Sequence, residues 1–435
     1  MPSKPSFFEH PWRREIVGEM HLRRLPPFTV PAQIFQLVRL VATPDRIAEL
    51  ASIETLPGQG PSTGARHREG RWSSDVRASW ERHSEASTVT VTLTGSAATS
   101  EGWIRPDSSD GAEAFTWAEA LPGGVVRATR LVVVADDEAA RRFVEEAEFK
   151  ASDLISCRVA GGARIWSDFR IHDDGYGRLV VAANGLPTAE LASCVQRLQE
   201  LGNYRNLALV GLPVARAVWP RLDDIEQTLG ETGRKMLDGH QRDDDLLLAL
   251  SRQTEQLVSI AAETDFRVSA TAAYAVIVAE RLEELQVQPI RGFQSLADFT
   301  SRRFNPAVRT CAALTQRLAL LNGRASQFTN LLRTRIETHI ENQNGRLLAS
   351  MDRSTRMQLR LQHLVEGLSA VAISYYLLGL VSYPLKAAEH MWPYLSPTSI
   401  LGIAAPLIVL AVWLILQTKR RRLFNDDGKP SSEGA

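Results

Sequence analysis

Cysteine is nearly absent from this 435-residue chain: Cys157, Cys194 and Cys311 stand far apart. That number and spacing exclude a disulfide framework and a cysteine zinc site, and fit a reducing compartment. A surplus of either charge is missing too, since 50 Lys and Arg balance 50 Asp and Glu. Without a basic excess there is no electrostatic footprint for nucleic acid. No P-loop, no GxGxxG after a strand, no GxSxG placed after a strand as a nucleophile elbow and no HExxH occurs, which removes the commonest sequence-legible chemistries. The opening MPSKPSFFEHPWRRE lacks an apolar signal core, so export of the leading portion is not expected.

What the chain does contain is two charge-free runs near its end. Gly367 to Leu385 reads GLSAVAISYYLLGLVSYPL, and Ile400 to Leu416 reads ILGIAAPLIVLAVWLIL. About 18 to 20 such residues in a helix cross a roughly 30 Å hydrocarbon core. Two transmembrane helices are therefore expected, over 366–385 and 399–417, with the lipid bilayer as the first partner. Arg353, Arg356 and Arg360 precede the first span and Lys419, Arg420, Arg421 and Arg422 follow the second. The loop between carries only Lys386 and Glu389. The positive-inside rule then puts both termini in the cytoplasm of a multi-pass inner (cytoplasmic) membrane protein.

A chain of this length leaves room for about two further domains before the anchor. Residues 1–220 mix turn residues with β-branched runs and read as an α+β cytoplasmic domain, a mixed sheet with helices packed on it. Strands are predicted over Ile34 to Val41, Ser87 to Leu93, Val125 to Val134, Ile155 to Ala160, Ala163 to Ile171 and Arg178 to Ala183. Helices are predicted over Pro44 to Glu54 with Thr43 as N-cap, Asp136 to Ala147, and Thr188 to Leu209. Asp174-Gly175 marks a hairpin.

Residues 221–363 are read as a helical stalk or bundle, 364–418 as a transmembrane hairpin and 419–435 as a basic tail. Helical patterns run over Leu222 to Thr264, Phe266 to Leu285 and Pro306 to Leu364, the last continuing into the first span. Phe328, Leu332, Ile336 and Ile340 recur every four residues, and Ile336 to Leu347 and Ile340 to Met351 repeat at eleven. Such a period keeps one apolar stripe on one face. It suits a coiled coil in a homo-oligomer or an intramolecular bundle, and the two stay open.

The blocks HPWRREIVGEMHLRRLPP (His10 to Pro27), WERHSE (Trp80 to Glu85), WSDFRIHDDGYGR (Trp166 to Arg178), VQRLQELGNYRNLAL (Val195 to Leu209), PAVRTC (Pro306 to Cys311), LLRTRIETHIENQNGRLLASM (Leu331 to Met351) and QLRLQHLVEGLSAVAISYY (Gln358 to Tyr376) resemble a bacterial family of membrane-anchored proteins, the domain of unknown function 3422 family. The resemblance spans nearly the whole chain and implies no activity. Gly202-Asn203 before Tyr204 depart from it, where a more acidic, threonine-containing stretch is expected. The layout also resembles the CorA-type magnesium transporter family. That resemblance implies a ring of first spans conducting a divalent cation such as magnesium, with a Gly-Met-Asn signature that this chain lacks.

Candidate pore and loop residues are Ser374, Gly379, Ser382, Tyr383 and Glu389. In the plainer reading Gly379 permits close helix packing, Pro384 ends the helix, and Tyr383, Trp392 and Tyr394 sit at the interface as an aromatic belt. In the leading domain, Glu81, His83 and Glu85 alternate along one run and Asp168, Arg170 and His172 along another. Side by side on adjacent strands they would form an acid/base or metal site. Solvated strand faces look the same, and this is the preferred reading. The expectation is a membrane-anchored domain that acts by interaction, as an oligomeric scaffold, without cofactor or catalysis; the alternative is a CorA-like divalent-cation channel.

Overall fold

The computed structural model describes residues 7–13, 16–17, 25–58, 66–98, 102–104, 111–389 and 397–426. They belong to two compact units, Met1–Asn330 and Leu331–Ala435.

The first unit is built on one sheet. Its strands are β1 (Ala32–Leu40), β2 (His67–Arg71), β3 (Val76–Arg82), β4 (Ala86–Thr94), β5 (Gly124–Val134), β6 (Ile155–Val159), β7 (Ala163–Ser167), β8 (Gly177–Ala182) and β9 (Gln288–Pro289). They lie in the order β2-β3-β4-β1-β5-β8-β7-β6-β9. Neighbours are antiparallel except β5 and β8. The period of two divides each strand between faces. On one face Ile34, Leu131, Val133, Ile165 and Val181 pack against Leu191, Val195, Leu198 and Leu201 of a helix over Thr188–Leu209. On the other, Phe35, Trp80, Val89 and Val91 meet Ile53 and Phe115, while Val132, Val180 and Trp166 meet Phe143. Each such fully buried side chain contributes about 1.5–3 kcal/mol, so the sheet core holds the unit together.

The helices are α1 (Arg46–Glu54), α2 (Ala112–Ala120), α3 (Asp137–Glu146), α4 (Thr188–Leu209), α5 (Gly211–Asp238), α6 (Asp243–Glu284), α7 (Leu296–Glu389) and α8 (Pro397–Asp426). α3 begins where its carboxylates predict, with the Asp136 side chain accepting from the Ala139 N–H at 2.9 Å. α1 does not: Pro44 sits in a short 3-10 turn over Thr43–Asp45, and no side chain caps it.

Other departures have local causes. The strand expected to reach Ile171 stops at Ser167, because buried Asp168 accepts from the Arg170 N–H at 3.1 Å and folds the chain away. Pro220 lies inside α5, where buried Val218, Leu222, Ile225 and Leu229 offset the lost backbone bond. The helical chain breaks instead at Gly239, with φ +69°, and Asp265 lies within α6. Gly211 permits the close approach of α5 and α6, since a Cβ there would come 2.2 Å from Thr271 Oγ1.

In the second unit many large apolar side chains face outward, although Leu332 and Val412 are buried. Leu364, Leu368, Val371 and Leu380 on α7, and Leu407, Leu410 and Leu414 on α8, are exposed. Both helices contain stretches long and apolar enough to cross a membrane, within Leu296–Ala387 and Thr398–Ile415. Pro384 does not end α7, which continues to Glu389. Of the eleven-residue stripe, Ile340, Leu347 and Met351 are exposed.

Candidate functional site

Where the sheet is widest, one face turns polar. His67, Glu81, Thr88, Val38 and Arg127 are register partners across β2, β3, β4, β1 and β5, and so share that face. The next rung is Glu69, Ser79, Thr90, Gln36 and Thr129. The second half of α4 passes over these rungs. Two cavities result, one on each side of Arg127.

The first is about 90 Å³ and is lined by His67, Glu69, Glu81, His83, Gln199 and Asn203 among others. It shares Leu25, Pro26, Glu69, Ser79 and Thr90 with a groove of about 530 Å³. His67 Nε2 lies 3.0 Å from Glu69 Oε1, and that hydrogen bond holds the Glu69 carboxyl below the usual carboxylate range. His83 Nε2 lies 3.0 Å from Thr88 Oγ1, with Nδ1 3.9 Å from Glu81 Oε1. Gln199 is only 4% exposed, and among the described residues neither its amide oxygen nor its nitrogen has a hydrogen-bond partner. His67 Nδ1 is buried and also has no partner among the described residues. Unpaired buried amides are costly, so such groups ordinarily take a water or another polar partner.

The second cavity, about 170 Å³, lies between β5, the loop after β7 and α4. Among the described residues four arginines line it, Arg127, Arg170, Arg178 and Arg205, and no carboxylate does. Arg127 Nη1 donates to Gln36 Oε1 at 2.9 Å and to Asn203 Oδ1 at 2.7 Å. A Cβ on Gly202 would come 2.7 Å from the same guanidinium. The departing pair Gly202-Asn203 is thus the seat of Arg127. Desolvation pushes Arg127 down to about 9, with the positive Arg205 adding to it, and burial pushes Arg205 down to about 10. Both still carry their proton at neutral pH.

The sequence-predicted residues divide. Glu81 and His83 line the first cavity. Glu85 does not join them; it accepts from Arg267 and, at 3.2 Å, from the Tyr274 hydroxyl, tying the β3–β4 turn to α6. Asp168, Arg170 and His172 never meet the Glu81 run, because β4, β1, β5 and β8 separate β3 from β7. Arg170 Nε donates to Asp153 at 2.7 Å, and His172 Nε2 is 3.3 Å from Asp168. Among the described residues no group of three or more His, Cys, Asp or Glu could hold a metal ion.

On α7, the Ser374 hydroxyl donates to the Ala370 carbonyl at 2.8 Å and the Ser382 hydroxyl to the Gly379 carbonyl at 2.7 Å. A Cβ on Gly379 would meet open space, and Tyr383 is exposed. The Glu389 side chain, Trp392 and Tyr394 lie outside the described residues. Sequence reasoning missed His67, Glu69, Arg127, Gln199 and Arg205. The one usable signal was Arg127 and Arg130 inside the apolar run VVRATRLVVV, since a central strand rarely carries charge without a purpose.

A family model described as a protein of unknown function (DUF3422) matches residues 8–423. No curated protein and no solved structure matches the chain.

Proposed function

The chain belongs to that family of unknown function, and from this premise we propose that it is a membrane-anchored protein whose first unit acts by binding rather than by catalysis. The observation that carries the anchor is the outward display of Leu364, Leu368, Val371 and Leu380 on α7 and of Leu407, Leu410 and Leu414 on α8. Leucine faces of this length are stable in hydrocarbon and costly in water. The basic residues flanking the runs favour termini on the cytoplasmic side of the inner membrane.

Binding rather than catalysis is favoured by the polar groups under α4. His67 is held by Glu69, and the Thr88 hydroxyl beside His83 belongs to a side chain only 5% exposed, which disfavours its use as a nucleophile. Self-association through exposed Ile340, Leu347 and Met351 would make the protein an oligomeric scaffold. The two serines of α7 favour an anchor over a pore: each hydroxyl is satisfied by a carbonyl of its own helix, which lets serine sit in lipid without water.

Alkaline carbonate extraction of membranes, combined with an impermeant maleimide on single cysteines placed at Ala387 and at Ser431, tests this. The protein should stay in the pellet, with the Ala387 site labelled from outside and the Ser431 site only after permeabilisation. Release by carbonate refutes the anchor. Reconstituted liposomes loaded with a divalent-cation indicator should show no flux; flux abolished by substitutions at Ser374 or Gly379 would replace the binding role with a channel.

A further inference from the structure

We propose that the cavity between β5 and α4 is a binding site for one small oxyanion, a phosphate or a compact carboxylate, received by Arg205 with Arg127 behind it. This gives a ligand class to the binding role proposed above, and its failure would leave the membrane anchor standing.

Arg205 is the decisive residue. It is 8% exposed, its Nη1 is buried, and that nitrogen has no hydrogen-bond partner among the described residues. Its guanidinium lies over the rings of Phe169 and Phe299, at 4.2 Å and 5.5 Å from their centres. Stacking fixes the plane of the fork and leaves its edge for a ligand, the arrangement by which arginine grips carboxylate or phosphate through two parallel bonds. Packing alone would not need the charge, because methionine or leucine fills a space between two phenylalanines without desolvating a cation.

The surroundings leave that charge uncancelled. Arg170 and Arg178 have carboxylate partners, Asp153 and Asp174, neither of which lines the cavity. Arg127 is oriented by the neutral amide oxygens of Gln36 and Asn203, which fix its position without removing its charge. Two positive groups therefore face the same space with no anion among the described residues that line it. Ile165, Leu179, Leu198 and Leu201 complete the walls. Apolar walls lower the local dielectric, which strengthens any ion pair formed there.

Size narrows the ligand. At about 170 Å³ the space falls below the roughly 300 Å³ at which drug-sized pockets begin, so a nucleotide does not fit while phosphate or a short carboxylate does.

The test uses the full chain in a non-ionic detergent, in chloride buffer free of other oxyanions. Isothermal titration with inorganic phosphate and, separately, malonate should show one equivalent bound for at least one of them, and the two arms tell phosphate from carboxylate. Arg205→Met should weaken that binding at least tenfold. Arg205→Lys, which keeps the charge but loses the planar fork, should weaken it less. Arg141→Met, at an exposed pair with Glu138 on α3, should change nothing. In chloride alone Arg205→Met should melt no lower than the parent, because it removes an uncompensated buried charge, and its melting point should ignore the anion. The inference is overturned if neither anion binds at 10 mM, or if Arg205→Met binds as the parent does. If Arg205→Met does not fold, parental affinity in Arg205→Lys overturns it equally.

Discussion

Asn203→Asp is the sharpest probe of the charge beneath α4. Asn203 Oδ1 already accepts from Arg127 Nη1 at 2.7 Å, so the substitution replaces a neutral acceptor with an anionic one and needs no movement of either side chain. A fall of Arg127 from 12.5 to about 9 corresponds to at most ~5 kcal/mol against its charged form, at 1.36 kcal/mol per pH unit. Partial solvent contact of the Arg127 side chain reduces that figure, and roughly half is the usable estimate. The new carboxylate must itself be desolvated at a position only 7% exposed, which takes back a further portion. A net gain of about 1–2 kcal/mol is expected, a rise of about 1.5–3 °C in the melting point at pH 7. The sign follows from linkage. The new Asp has its folded pKa depressed by Arg127, so its stabilisation is present above the unfolded value near 3.9 and lost as pH falls through the folded one. Thermal melts of parent and variant in chloride buffer, from pH 7 to pH 3, should diverge at neutral pH and converge in acid. A variant that melts below the parent at pH 7 and recovers at pH 4 would refute the claim that Arg127 lacks a counter-charge.

Further outcomes follow from the same structure. Gly202→Ala forces a Cβ to within 2.7 Å of the Arg127 guanidinium and should cost about 1–3 kcal/mol, read as a lower denaturation midpoint. Glu85→Ala removes the acceptor shared by Arg267 and Tyr274; a double-mutant cycle with Arg267→Ala should return a coupling of about 1–3 kcal/mol, since the carboxylate is 9% exposed. Cys157, Cys194 and Cys311 are buried, and burial pushes Cys157 up to about 11 and Cys194 up to about 12, so a thiol reagent at pH 8 should label them only after denaturation. The same raised values make the two thiols stabilising below pH 9, with that contribution lost as pH climbs towards 11–12, which alkaline melts would show. Leu410→Arg, exposed near the middle of the α8 apolar run, should cost about 2.5–3.5 kcal/mol of insertion and release a fraction of the protein on carbonate extraction.

Much of the fold was legible because burial on both faces leaves continuous apolar runs. VVRATRLVVV and the α4 segment were read within a residue of their observed bounds. β2 and β3 were harder for a physical reason: HREGR and VRASWER place polar side chains on the very face that lines the cavity, so half of their alternation looks like loop. Helix boundaries failed where a single residue outweighed composition. The helix expected from Leu222 begins at Gly211 and holds Pro220 within it, whereas Gly239, inside the expected helix, makes the actual turn.

The site was the least legible region, because its chemistry depends on pairs brought together across the sheet. Glu81 and His67 are fourteen positions apart in sequence and directly opposed in register. Arg127, Gln36 and Asn203 come from a central strand, its neighbour and the helix above, and no local pattern links them. A strand charge can be noticed in sequence, but whether a carboxylate answers it depends on what the next layer presents. Here that layer presents Gly202 and Asn203, one too small to obstruct the guanidinium and the other neutral, and this pairing keeps a positive charge where a carboxylate at 203 would have cancelled it.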